Sequence, residues 1–163
     1  MKIQFETSDV NHEIAEYILR RQNEPGSFCH LCPTDKDGII KELERLFAKP
    51  APRVLVMRDD LGTLQGVFNL FIIPEERYIE TDWGFVTTPS VYDDLIAHLR
   101  NTYPGYHLDA VVTKSNQTMF AAYRKNGLVY QEEQILMDLK EYTPKPVNAN
   151  IVRYSPEYEV SFR

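Results

Sequence analysis

The sequence predicts an α+β domain, a mixed and mostly antiparallel twisted sheet with helices on both of its faces. Three observations lead there. Apolar residues alternate at strand and helix periods in the order strand, helix, helix, three strands, then helix, strand, helix, strand. The three central strands are separated only by short turn sequences, Asp59-Asp60-Leu61-Gly62 and Pro74-Glu75-Glu76, as in an antiparallel meander. The chain has 163 residues, 43% hydrophobic and 26% charged, which is one ordinary globular domain with a core of its own.

Each element has its local reason. Lys2 to Glu6 alternates, with Ile3 and Phe5 on one face. Thr7, Ser8 and Asp9 offer capping oxygens to a helix running to about Arg21, with Ile14, Tyr17 and Ile18 at helical spacing. Asn23 to Thr34 is a loop by composition, with Pro25, Gly26, Ser27 and Pro33. A second helix covers Asp35 to Ala48 on the stripe Ile39, Ile40, Leu43, Leu46 and Phe47. Strands are expected over Arg53 to Arg58, Leu64 to Ile73 and Tyr78 to Val86. Thr88-Pro89 opens a helix with an inner face of Val91, Leu95, Ile96 and Leu99, ended by Tyr103-Pro104-Gly105. Leu108 to Thr113 reads as a strand and Asn116 to Asn126 as a helix stopped by a left-handed Gly127. Val129 to Leu139 reads as a last strand or hairpin arm.

Composition narrows the function classes. A formal net charge of −6 argues against sequence-independent nucleic-acid binding, which needs a clustered positive field. The first residues form no signal-peptide core, and the longest apolar stretch, Gly66 to Ile73, is too short to cross a bilayer. With two cysteines there is no disulfide framework. These features lead us to expect a cytoplasmic protein with no nucleic-acid or membrane partner.

The last third carries a family likeness. Asp109-Ala110-Val111-Val112 followed by Asn116, Ala122, Tyr123, Gly127 and Leu128 resembles the strand–helix–strand unit of the GCN5-related N-acetyltransferase superfamily. The match is to an Asn…Ala-x-x-x-Tyr-x-x-x-Gly-Phe pattern, with the alanine displaced and Leu128 in the place of phenylalanine. Lys140 closes the strand after Leu136, Met137 and Leu139. The resemblance implies an acyl-coenzyme A N-acyltransferase fold over residues 1–140. It implies acetyl-coenzyme A as cofactor and a small-molecule or peptide amine as substrate, with acetyl transfer as the activity. A non-catalytic module of the same fold, acting as a scaffold or interaction surface, is the alternative.

Acetyl transfer from a thioester needs an amine that loses a proton and a proton for the departing thiolate. The resemblance gives Tyr123 the second role; a core tyrosine with its hydroxyl at the rim is the competing reading. Asn116, at the start of the same helix, would hydrogen-bond the pantetheine or phosphate region. Glu80 and Asp82 are candidate bases, because alternation over Tyr78 to Phe85 puts them on one face with Tyr78 and Gly84, opposite Ile79, Trp83 and Phe85. They equally suit a solvent face.

Val86 and Thr88 lie where the family carries its glycine-rich pyrophosphate loop. Here the stretch Val86 to Asp94 has neither glycine nor basic residue, Pro89 removes a donor, and Asp93 and Asp94 oppose an anion. The anion cradle reads as degenerate.

Cys29-His30-Leu31-Cys32 has the spacing of half a zinc site, with no second pair to complete it, so no metal is expected. Residues 141–163 read as a stiff linker, Tyr142 to Pro146, a short strand at Ile151 to Tyr154, and a helix start at Ser155-Pro156-Glu157. This is either a docking tail or the beginning of a further module in a tandem protein. Tyr154, Tyr158 and Phe162 could dock on such a module or on a second copy of the chain.

Overall fold

The computed structural model describes residues 1–6 and 12–127. Within them the strands are β1 (Lys2–Glu6), β2 (Val54–Arg58), β3 (Leu64–Ile73), β4 (Tyr78–Val86) and β5 (His107–Ala110), and the helices are α1 (His12–Gln22), α2 (Lys36–Phe47), α3 (Ser90–Thr102) and α4 (Gln117–Lys125). The strands form one sheet in the order β1-β2-β3-β4-β5. Neighbours are antiparallel except β4 and β5, which run parallel across the α3 crossover. The expected capping run Thr7–Asp9, the strand over Val129 to Leu139 and the tail from Tyr142 onward lie outside the described residues.

Helices cover both faces, as the alternation requires. On one face Ile14, Ile18, Ile39 and Leu43 of α1 and α2 pack with Val54, Val56, Val67, Trp83 and Phe85. On the other, Val91, Leu95 and Ile96 of α3 and Met119 of α4 meet Leu55, Met57, Phe68, Leu70 and Ile79. Each such side chain, withdrawn from water, contributes about 1.5–3 kcal/mol. α2 starts where Asp35 accepts the Gly38 amide at 2.8 Å, and α4 where Asn116 accepts that of Met119 at 3.0 Å. Gly127 follows α4 at φ +95°, the left-handed conformation expected of it.

Three boundaries differ from the sequence reading. β2 begins at Val54, and Pro89 caps α3 from outside its first turn. β5 ends at Ala110 instead of continuing to Thr113. The last difference has a cause in β4. Asn69 pairs with Trp83 but Leu70 pairs with Thr81, so Asp82 is an extra residue, a β-bulge. Bulges bend and twist the strand that carries them, and the β4–β5 ladder stops at this point.

The same bulge corrects the expected facing of β4. Ile79 belongs to the α3/α4 core, whereas Trp83 and Phe85 belong to the α1/α2 core. Asp82 therefore does not oppose Trp83. Both reach the α1/α2 side, while a side chain at Gly84 would meet Phe68 on the α3/α4 side.

Candidate functional site

The parallel ladder runs from Tyr78 opposite His107 to Thr81 opposite Ala110, and the Val111 amide adds a last bond to the Thr81 carbonyl at 2.9 Å. Beyond it β4 continues from Asp82 to Val86 with no strand beside it on the β5 side among the described residues. A splayed pair of parallel strands is a built-in cleft.

Two carbonyls of this part of β4 are taken from outside the sheet. The Tyr92 hydroxyl of α3 donates to Gly84 at 3.3 Å, and the Cys29 thiol donates to Asp82 at 3.6 Å.

The loop that carries Cys29 ties the cleft together. Gln22, at the end of α1, donates to the Cys29 and Cys32 carbonyls at 2.7 and 2.8 Å and accepts from the Cys29 amide at 2.8 Å. The His30 amide donates to the Thr113 hydroxyl at 3.1 Å, and the Asn116 side-chain amide donates to the Ser27 carbonyl at 3.4 Å. The segment thus touches β4 on one arm and the continuation of β5 on the other. Both cysteines are free and buried, and burial pushes both thiols up in pKa. Among the described residues no group of three or more His, Cys, Asp or Glu is placed to hold a metal ion.

At the apex of the splay sits Tyr123. Met119, Ala122 and Tyr123 form the inner face of α4, and the tyrosine ring lies 6.1 Å from that of Tyr92. Its hydroxyl is buried without a hydrogen-bond partner among the described residues, and so is that of Thr81, the last laddered residue of β4. Burial pushes the Tyr123 phenol up to about 12, and the Thr81 hydroxyl pulls it the other way. Sequence reasoning missed Thr81; the available signal was a hydroxyl in the otherwise apolar alternation of Ile79, Trp83 and Phe85. Asn116 is 2% exposed, and its side-chain oxygen and nitrogen are both engaged, on Met119 and Ser27.

The candidate carboxylates lie across the sheet from Tyr123. A depression of about 240 Å³ is lined by Leu31, Glu42, Arg45, Asn69, Asp82 and Trp83. Asn69 donates to one Asp82 oxygen at 3.0 Å, and Arg45 is engaged by Glu42 at 2.6 Å. The Trp83 indole N–H is buried without a partner among the described residues. Glu80 stands two residues further back, where β4 pairs with Asp109 of β5. Partial burial, then the charges of Asp82 and Asp109, raise its pKa, while Arg53 opposes them. Arg53 itself lies over the Phe71 ring, 3.6 Å from its centroid.

Val86 and Thr88 lead into α3. The Val91 and Tyr92 amides, first-turn donors of the kind that would face an anion, are bonded to the Thr88 and Pro89 carbonyls at 3.1 and 3.2 Å. Thr88 shares a 3.0 Å hydroxyl contact with Ser90. Asp93 is tied to α4, accepting from Lys125 and from the Asn126 side chain, both at 2.6 Å, and these bonds hold its pKa below the ordinary carboxylate value.

A depressed folded-state pKa contributes stability that is present above the unfolded value, about 3.9, and is lost as pH falls through the folded one. Asp93→Asn should therefore flatten the acid side of the stability profile, which thermal melts from pH 7 to 2 would read. A wild-type slope retained below pH 4 would contradict the tie.

No protein-family model and no curated protein matches this sequence. Solved structures do. A chimera of the Vibrio cholerae spermidine N-acetyltransferase SpeG with hSSAT superposes with a TM-score of 0.60 at 15% identity, over 85% of this chain and 89% of that one. A possible acetyltransferase of Clostridium difficile 630 superposes with a TM-score of 0.57 at 11% identity, over 91% of this chain and 100% of that one. The chain has an acyl-coenzyme A N-acyltransferase-like fold.

Proposed function

We propose that this chain transfers an acetyl group from acetyl-coenzyme A to a cationic amine, with Tyr123 as proton donor and Asp82 as the carboxylate that receives the amine. One observation carries the reading. A buried, unpartnered phenol and a carboxylate come from opposite faces of the sheet to the point of β4 where β5 leaves it.

The residues present suit one end of acetyl-coenzyme A and not the other. The splay fits its thioester end, because the orphaned hydroxyls of Thr81 and Tyr123 lack the partner that buried polar groups require. Its diphosphate finds no cradle at α3, where the Val91 and Tyr92 amides are spent within the helix turn. When bound, the donor supplies the activated acetyl group. The chain does the rest. Tyr123, protonated throughout the neutral range, keeps its hydrogen available at the apex. Asp82, with one oxygen held by Asn69, has its other oxygen free of that bond to take an ammonium proton. Glu42, Glu80 and Asp109 join Asp82 on this side of β4, and against the two cations there, Arg45 and Arg53, these four carboxylates favour a cationic acceptor. The spermidine acetyltransferases that share the fold make a polyamine the first acceptor to try. Among the described residues no helix is long and apolar enough to cross a membrane.

Titration calorimetry with acetyl-coenzyme A, with desulfo-coenzyme A as control, tests the donor. Transfer to spermidine and simple primary amines then tests the reaction. Micromolar binding supports the reading, and no binding at millimolar ligand returns the chain to a non-catalytic scaffold of the same fold. Asp82→Asn should lower kcat/KM for the amine about tenfold, while Glu80→Gln stays within about twofold. The opposite ranking would move the base to Glu80.

A further inference from the structure

Regular alternation would send Asp82 and Trp83 to opposite faces of β4, and the bulge brings both to the α1/α2 side. Two consecutive side chains, a carboxylate and an indole, thus line one depression of about 240 Å³. Bulges beside binding sites re-aim side chains in this way.

Much of the polar lining is already paired. Arg45 gives its Nε and one terminal nitrogen to the two Glu42 oxygens, at 2.7 and 2.6 Å. Asn69, only 3% exposed, donates to one Asp82 oxygen at 3.0 Å. Leu31 adds an exposed apolar rim, and its loop is held by the bonds of Gln22 to the Cys32 carbonyl and of Cys29 to the Asp82 carbonyl. Two groups on neighbouring residues are left for a ligand. One is the second Asp82 oxygen, an acceptor. The other is the Trp83 indole N–H, a donor on a residue 1% exposed, without a partner among the described residues. A buried indole usually finds an acceptor, and one left unpaired is costly.

We propose that Asp82 and Trp83 together recognise an α-amino carbonyl group, the free Asp82 oxygen holding its ammonium and the Trp83 indole N–H donating to its carbonyl oxygen. This is the acceptor of the acetyl-transfer reading, on which the proposal rests. Neighbouring protein groups call for neighbouring ligand groups. In an α-amino carbonyl only the carbon bearing the amine and the carbonyl carbon itself separate nitrogen from oxygen. The carbonyl must be neutral: Asp82, Glu42, Glu80 and Asp109 outweigh Arg45 and Arg53 here, so a free carboxylate is repelled and an amide is not. An amino-acid amide and the first residue of a peptide both carry this group. A polyamine has no oxygen to offer and leaves the indole unpaired. Sites built to pair a buried donor reject analogues that lack the acceptor.

Trp83 is the single tryptophan of the chain, so protein labelled with nitrogen-15 shows one indole N–H signal. Glycinamide and n-butylamine, equal in heavy atoms, are titrated against it with and without coenzyme A, and no turnover is needed. Glycinamide should move the signal downfield and slow its exchange with solvent, whereas n-butylamine and spermidine should leave it in place. Asp82→Asn should abolish the response to glycinamide. In transfer assays the preference for glycinamide over n-butylamine, as a ratio of kcat/KM, should fall about tenfold in Trp83→Phe, which keeps an aromatic ring and loses the N–H. Triglycine amide separates the two sources of the group: it matches glycinamide if a peptide end fits and is silent if only the free amide does.

An indole signal that ignores glycinamide under both conditions overturns the proposal, as does one that n-butylamine moves as far. A preference unchanged in Trp83→Phe removes the indole from recognition. If the signal answers glycinamide while no amine is acetylated, the acetyl-transfer reading fails and the α-amino carbonyl site stands.

Discussion

Tyr123→Phe is expected to slow acetyl transfer about hundredfold at saturating substrates, a typical contribution of a well-placed proton donor. Thermal stability should be unchanged or raised. The ring stays in place beside Tyr92, so packing is retained, and the atom removed is a buried oxygen with no partner. Deleting an unsatisfied polar atom from a core relieves its desolvation cost, on the order of 1–3 kcal/mol. Loss of rate with a gain in stability marks a group kept for chemistry and not for folding. If Tyr123 were only a core aromatic, the phenylalanine variant would turn over like the wild type. Steady-state kinetics and a melt on the same two proteins decide it. The raised pKa adds a pH signature: because the phenol titrates near 12, kcat should show no fall attributable to Tyr123 across the neutral and mildly alkaline range.

Much of the fold was legible in the sequence, and what was not has a physical cause. The periodicities located the described strands and helices, and Asn116 and Gly127 marked the ends of α4 because capping chemistry is local. The parity of β4 was lost at Asp82. A bulge is set by how two strands meet, and residues 80 to 84 carry no local sign of it. Simple alternation therefore set Asp82 against Trp83, when both line one depression beside α2. The Cys29–Cys32 spacing reads as half a zinc site with no metal expected, and it gives no hint of the bonds that join this loop to Gln22, to Asp82 and, from His30, to Thr113, 83 residues away. Such long-range bonds leave no periodic trace. Asp93 read as a repulsive charge at the mouth of α3 until the fold brought Lys125 to it.

Gly84→Ala should be the most damaging single change to stability, with a cost of about 1–3 kcal/mol from overpacking. For a chain of this length, 2 kcal/mol corresponds to a fall in Tm of roughly 4–8 °C. A Cβ at Gly84 would lie 2.3 Å from Cδ1 and 2.7 Å from Cε1 of Phe68, far inside contact distance. The ring has nowhere to retreat. Its other edge already lies over Gly66, where an added Cβ would be 2.9 Å from Cε2, and Tyr92 meets it edge-on with centroids 5.9 Å apart. Tyr92 in turn donates to the Gly84 carbonyl and stands beside Tyr123, so a displaced Phe68 presses on the wall of the cleft itself. The clash is specific, and a smaller partner should relieve it. Phe68→Leu alone loses packing, but combined with Gly84→Ala it should cost clearly less than the two single changes added together. Denaturant midpoints of the four proteins measure that coupling. Strict additivity would mean that the glycine is kept for some reason other than the ring lying across it.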